Sequence, residues 1–232
     1  MSQPEKPPAG HPLDRPVWQA LTGPQAHFAI TSGTARRFDP AYGPFAAAID
    51  DSGPSLHDLA QLAARDEIWL LEKHPPLHIP GLTALKRADC VQMVAHTLTA
   101  APSRFPVMDL GADDAPDMLA LATSTQPGPF RARTHALGRF IGIRDAGRLV
   151  AMAGERTQPA GYVEVSGVCT HPDHRGRGYV GLLMREVAAR ILARGTLPFL
   201  HCYATNAGAI ALYRSLGFTP FQTVTAAAFA VA

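Results

Sequence analysis

Apolar and polar positions alternate with a clear period over the second half of the chain and a blurred one over the first. From residue 105 on, Val107–Leu110 predicts a strand and Asp113–Ala122 a helix carrying Met118, Leu119 and Leu121 inward. Phe140–Arg144 and Leu149–Ala153 flank Asp145-Ala146-Gly147, the signature of a hairpin. Tyr162–Thr170 predicts a long strand. Val180, Leu183, Met184, Val187 and Ile191 then recur at helical spacing over Tyr179–Arg194, with Gly195 to end the helix. Pro198–Cys202 predicts a strand, Asn206–Leu216 a helix stopped by Gly217, and the chain from Phe218 a last strand. The order β-α-β-β-β-α-β-α-β means a sheet with helices packed on it, α/β or α+β.

The first half gives weaker signals. Asp14-Arg15-Pro16 opens a short helix through Leu21, with Asp14 as cap and Pro16 in the first turn. His27–Ile30 and Ala35–Phe38 form a candidate hairpin across Thr31–Thr34. Ser55 opens a helix with Leu56, Leu59, Leu62 and Ala63 on one face. Glu67–Leu71 is a candidate buried strand, and Cys90–Ala95 is either a strand or a helix. Three segments follow: 1–12, Pro-rich and read as a flexible tail; 13–104, a divergent α/β region; and 105–232, the ordered half, beyond a polar boundary near Thr99–Arg104.

Composition narrows the class. The chain has 232 residues, of which 47% are apolar, enough for a core and too many for global disorder. A net charge of +2 argues against a nucleic-acid binder. The three cysteines, Cys90, Cys169 and Cys202, form no disulfide framework, and a cytoplasmic location is expected. No apolar run suggests a signal peptide or a membrane span. The apolar end Val224–Ala232 is expected to add a strand at a homodimer interface.

The informative segment is His171-Pro-Asp-His-Arg175-Gly176-Arg177-Gly178-Tyr179-Val180, between a strand and a helix. Glycines let backbone approach a ligand, and the amides of a helix N-terminus attract an anion. Arg175 and Arg177 add positive charge, so a pyrophosphate is the expected guest. Gly176-x-Gly178-x-x-Gly181 also fits the dinucleotide pattern, which needs an acidic residue about 20 positions on for the ribose. The last acidic residue of the chain is Glu186, which argues against NAD. His171, His174, His201, Cys169 and Cys202 lack the paired spacing of a zinc site, so no metal is expected.

Arg175-x-x-Gly178-x-Val180 resembles the pyrophosphate signature of the GCN5-related N-acetyltransferase (GNAT) superfamily, FR47-like branch, with Val180 where Gly or Ala is usual. About 30 residues on, Asn206-x-x-Ala209-Ile210-x-Leu212-Tyr213-x-x-x-Gly217-Phe218 matches a second pattern of that family in full. The resemblance covers about 106–232. It implies the GNAT fold, a central mixed and mostly antiparallel sheet flanked by helices. The first half would be either a family-specific extension or a degenerate second copy.

The resemblance further implies acetyl-CoA as cosubstrate and direct transfer of its acetyl group to a primary amine, on a small molecule or a peptide. Arg175, Gly176, Arg177, Gly178, Tyr179 and Val180 would hold the pyrophosphate, and Val168, Cys169, Thr170 and Asn206 the pantetheine arm. Val168 N–H would face the oxyanion where Gly167 permits a bulge and the strand splays from Pro198–Cys202. Glu164, 11 residues before Arg175, is the candidate base, with Glu155 as competitor, and Tyr213 the candidate acid; the alternative for Glu164 is a side chain that faces solvent or pairs with an Arg such as Arg133 or Arg156. Cys169 is read as a strand residue rather than a nucleophile. Gln126–Phe130 with Arg131 and Arg133 would border the acceptor. The rival reading is a non-catalytic acyl-CoA-binding regulatory module.

Overall fold

The computed structural model describes residues 10–64, 66–100 and 105–231. Most of the expected tail, residues 1–9, and most of the expected boundary, residues 101–104, lie outside the described residues. The second half follows its sequence pattern closely. Strands β6 (Met108–Leu110), β7 (Phe140–Asp145), β8 (Arg148–Glu155), β9 (Tyr162–Thr170), β10 (Leu197–Tyr203) and β11 (Thr219–Val231) alternate with helices α3 (Ala115–Thr125), α4 (Tyr179–Leu192) and α5 (Ala207–Leu216). The first half supplies α1 (Pro16–Leu21), α2 (Gly53–Leu62) and five strands: β1 (Ala29–Ser32), β2 (Ala35–Phe38), β3 (Ala46–Ala48), β4 (Ile68–Glu72) and β5 (Leu82–Val94).

Strands β1, β2 and β3 form a small antiparallel sheet, while β4 and β5 enter the eight-stranded sheet β4-β11-β5-β10-β9-β8-β7-β6. Within that large sheet β9 and β10 are parallel and the other neighbours antiparallel. This is the mixed, mostly antiparallel sheet the sequence implied. The divergent half is therefore divided between the two sheets. Its β5 inserts between β10 and β11, and β4 closes the edge.

One expectation is corrected here. The apolar run from Val224 is not an interface strand: Thr225–Phe229 pairs with β4 on one side and with β5 on the other. Ala226, Ala227, Ala228 and Phe229 are buried because both faces of the strand are covered: Ala227 and Phe229 pack with Leu59 and Leu62 of α2, and Val224 and Ala226 with Val17, Trp18 and Leu21 of α1.

Strand alternation sends neighbouring side chains to opposite faces. Phe140 and Met152 meet Met118, Leu121 and Ala122 of α3, whereas Ile141, Ala151, Val163 and Val165 meet Leu183, Met184, Val187 and Ile191 of α4. Helix α1 packs Val17, Trp18 and Leu21 on the face formed by Leu71, Cys90, Val224 and Ala226. The small sheet is hooked to the large one at a single parallel bridge, Phe45 to Trp69, fixed by Trp69 N–H donating to the Pro44 carbonyl at 2.8 Å. That bridge sets two aromatic rings from the first half side by side at the β4 edge of the large sheet. Among the described residues no helix is long and apolar enough to cross a membrane.

Candidate active site

The site begins where the parallel strands part. β9 and β10 pair only from Leu197–Tyr162 to Phe199–Glu164, and beyond that point they diverge. The divergence has a local cause in β9. Its register against β8 shifts between Met152 and Gly154, and Gly167 in the bulge has φ +62. A side chain at 167 would be strained at that φ, and its Cβ would lie 2.8 Å from the Phe140 ring. The expected splay and bulge are both present.

Two cavities flank the split and share Pro127 and Val168. The larger, about 610 Å³, is lined by Val168, Cys169, Thr170 and the whole segment from His174 to Gly181, with Arg185. Among its described lining residues there is no carboxylate and there are three arginines: Arg175, Arg177 and Arg185. Gly176 and Gly178 have φ +78 and +85, with nothing within 4 Å of where a Cβ would stand. They form an open cradle at the start of α4, where free amides accumulate. Arg175 is exposed and makes no ion pair among the described residues, and Arg177 stands 3.8 Å from Asp145. Val180 packs toward the core beneath α4 while lining the cavity. The donor set and the cradle fit a pyrophosphate.

The smaller cavity, about 170 Å³, lies on the other side of the split. It gathers Glu164, Val168, Asn206 and Tyr213 with Arg156, His201, Cys202 and Tyr203. Phe45, Trp69, Leu71 and Cys90 from the first half complete its wall. Pro127, Gly128 and Pro129 from the loop after α3 cover it, within the segment expected to border the acceptor. The competitor Glu155 lines neither cavity; it is buried and bonded to Arg194 at 2.7 Å.

Glu164 is 1% exposed and its four lone pairs are all taken. Its Oε1 accepts from Arg156 Nη2 at 2.6 Å and from His201 Nδ1 at 2.7 Å. Its Oε2 accepts from Arg156 Nε at 3.0 Å and from Thr157 N–H at 3.3 Å. Burial alone would push this carboxyl up. The Arg156 guanidinium, and after it His201, outweigh burial and hold it far below the ordinary 4.5. A carboxylate so engaged has no open site for an ammonium proton. Its geometry is that of an anchor, not of the base expected of it.

His201 is fixed from its other side. Gln92 Nε2 donates to the Leu13 carbonyl at 2.9 Å, and Gln92 Oε1 accepts from Gln222 Nε2 at 2.9 Å, which orients the amide. Gln92 Nε2 therefore donates to His201 Nε2 at 2.9 Å, and His201 is the Nδ1–H tautomer, donating to Glu164. Tyr213 is half-buried. Burial, with Cys202 adding to it, pushes its phenol up to about 12, so it keeps its proton. Asn206 caps α5, its Oδ1 accepting from Ala209 N–H at 3.1 Å. Burial pushes the Cys169 thiol up to about 11, which removes the thiolate a nucleophile needs.

The split thus brings the predicted residues into two adjoining groups. Phe45 and Trp69 were missed, Arg156 was expected only as one possible ion-pair partner of Glu164, and His201 was weighed only as a metal ligand. Arg156 and His201 flank Glu164 across the sheet but lie 8 residues before it and 37 after it. One signal was available: a lone acid in the middle of a long strand needs a buried cation beside it.

Comparisons with known proteins bear on the family and the fold. The family described as FR47-like protein matches residues 140–226. A candidate acetyltransferase from the GNAT family of Novosphingobium aromaticivorans DSM 12444 is 47% identical in sequence, with a TM-score of 0.88 over 96% of this chain and 100% of its own. A GCN5-related N-acetyltransferase from Kribbella flavida shares the fold at 20% identity, TM-score 0.62, over 88% of this chain and 89% of its own. The N-alpha-acetyltransferase RimI of Mycobacterium tuberculosis (strain ATCC 25618 / H37Rv) is 40% identical over 83 residues. That alignment is 34% of this chain and 51% of the curated relative, so the chain spans about half the length of that protein.

Proposed function

The chain belongs to the GNAT family of acetyltransferases, and from that premise we propose that it transfers the acetyl group of acetyl-CoA directly to a primary amine. The observation that carries this reading is the meeting of the two cavities at Val168, where β9 and β10 part. A pyrophosphate held on the Arg175–Val180 segment would leave the pantetheine arm to run along Val168–Thr170, bonding like an added strand. The thioester would then reach the smaller chamber beside Tyr213 and Asn206.

The amine nitrogen attacks the thioester carbonyl, a C–N bond forms, and the C–S bond breaks. Val168 N–H would donate to the developing oxyanion. The attacking nitrogen becomes cationic as it bonds, and the leaving sulfur becomes anionic. Tyr213, protonated throughout the neutral range, donates a hydrogen bond to that sulfur and can relay the nitrogen's surplus proton to it. Amine and acetyl-CoA become amide and CoA thiol, and no proton has to be lost to a side-chain base once a neutral amine is in place. Glu164, Arg156 and His201 are positioning residues in this scheme, fixing the wall beside the reacting carbon.

Calorimetric titration with acetyl-CoA, with NADPH as control, followed by thiol release over a panel of amines, tests the proposal. Micromolar acetyl-CoA binding, NADPH at least 100-fold weaker, and amine-dependent thiol release are expected. Equal binding of NADPH would overturn it. The saturated Glu164 favours one rival, a non-catalytic acyl-CoA-binding module. That rival predicts binding with no thiol release for any amine.

A further inference from the structure

We propose that the smaller chamber selects a weakly basic primary amine on a compact apolar or aromatic body, one that arrives uncharged, and rejects alkylammonium ions. This deepens the acetyltransferase reading and rests on it for the identity of the acceptor. The argument comes from how the chamber treats positive charge.

An ammonium ion entering a pocket gives up part of its water shell, and its strongest replacements are a carboxylate and the open face of an aromatic ring. The chamber offers no open carboxylate, and of its four described aromatic rings Tyr213 alone carries no cation of the chain's own. Glu164 is the single carboxylate among its described lining residues, and its lone pairs are spent on Arg156, His201 and Thr157. Three of its aromatic rings already hold the chain's own cations. The Arg156 guanidinium lies 4.5 Å from the centre of the Phe45 ring. Lys86 Nζ lies 5.5 Å from that of Trp69 and 4.5 Å from that of Tyr203, and donates to the Tyr203 hydroxyl at 2.8 Å. A third cation would meet repulsion where a choline-type cage would offer attraction.

What remains suits an apolar body. Leu71, Cys90, Ala226, Leu200 and Met184 join the rings, and the volume of about 170 Å³ suits one small molecule. The same chamber has no open base, so an acceptor must already hold a free nitrogen lone pair when it binds. An alkylamine with pKa ~10.4 is neutral in roughly 1 molecule in 2,500 at pH 7, whereas an amine on an aromatic ring is almost wholly neutral. The chamber and the proton balance therefore ask for the same acceptor.

The isomers p-toluidine and benzylamine share composition and bulk and differ in basicity. Each is titrated calorimetrically at pH 7.0 into the full chain saturated with CoA. p-Toluidine should bind at least 30-fold tighter than benzylamine; equal affinity, tighter benzylamine, or binding of neither overturns the proposal. Lys86→Met, an exposed change outside the catalytic group, should improve benzylamine binding about tenfold and leave p-toluidine unchanged. No change for either amine overturns the part given to Lys86. Thiol release from acetyl-CoA separates the two levels. If p-toluidine binds selectively but no thiol is released, acetyl transfer fails while the selection stands. If both amines are acetylated with equal kcat/KM, the selection fails while acetyl transfer stands.

Discussion

The two cavities at the strand split are built in opposite ways. The phosphate-side cavity takes half of its lining from one continuous segment, His174–Gly181, with exposed arginines that have few partners of their own. The acceptor-side chamber is made of short stretches and single residues from nearly every part of the sheet, and its charged groups are already paired. A ligand group with fixed chemistry, such as a pyrophosphate, can be met by a short local motif. A ligand that differs between relatives is met by long-range juxtaposition, in which the first half of this chain supplies Phe45, Trp69 and Cys90. The first cavity is therefore expected to give up affinity without stability, and the second to give up stability and turnover together.

The largest effect expected is that of Glu164→Ala. Removing this carboxylate leaves the Arg156 guanidinium buried without its partner, which costs about 3–5 kcal/mol. Chemical denaturation should show that loss, while acetyl-CoA affinity in the folded fraction changes little. A pH series sharpens the point. The folded carboxyl is held below its unfolded value, so its stabilisation is complete above the ordinary 4.5 and fades as pH falls toward the folded value. Glu164→Gln should flatten the acid limb of the stability profile below about pH 4.5. An unchanged acid limb would show that the ion pair adds no pH-dependent stability.

Next in size is Tyr213→Phe, which removes one hydroxyl and little bulk. Stability should move by less than about 1 kcal/mol, whereas kcat should fall by about 100-fold, within the span of general acid–base effects. The wild-type phenol is raised in the fold. Its contribution to stability is therefore present below the ordinary 10.0 and is lost as pH rises from there through about 12. The rate should accordingly show no descending limb from this group below pH 10. A kcat unchanged in Tyr213→Phe would take the leaving thiol away from this residue.

How much of this was readable from the chain depends on distance along it. The order of strands and helices from 105 on was legible because each element keeps its period, and the Arg175–Val180 and Asn206–Phe218 motifs because each is local. Strand β5 was only half seen. Its stretch Leu82–Asp89 reads LTALKRAD and lies largely exposed, so it carries no core period, yet it pairs with β11 throughout. Glu164 was found, but the sequence left its base reading and its Arg-paired reading both open. Whether a carboxylate is a base or an anchor depends on Arg156 and His201, whose places beside it follow from strand register. Phe45 and Trp69 meet through one bridge between two sheets, a contact no local pattern encodes.

On the phosphate side, Arg175→Ala should weaken acetyl-CoA binding by about 10- to 30-fold, the worth of a charge-assisted hydrogen bond. The denaturation midpoint should stay where it is, because the side chain is exposed and unpaired among the described residues. A loss of stability equal to the loss of affinity would show that the loop is part of the core after all.

The smallest effect, and the finest division between the cavities, belongs to Gly176→Ala. Gly176 has φ +78 and open space around it, so the added methyl meets no neighbour. What it meets is the cost of a left-handed conformation for a residue with a Cβ, about 1–2 kcal/mol at most and less in an exposed loop that can relax. The methyl would also stand in the cradle that a pyrophosphate has to enter. Binding should therefore suffer more than folding, with acetyl-CoA affinity falling several-fold more than the stability change alone accounts for. The control is Gly167→Ala, where φ is +62 and the Cβ would press on the Phe140 ring at 2.8 Å. There the order should reverse, with folding suffering more than binding. If both glycines behaved alike, the distinction between an open cradle and a packed bulge would collapse, and with it the separation of the two cavities.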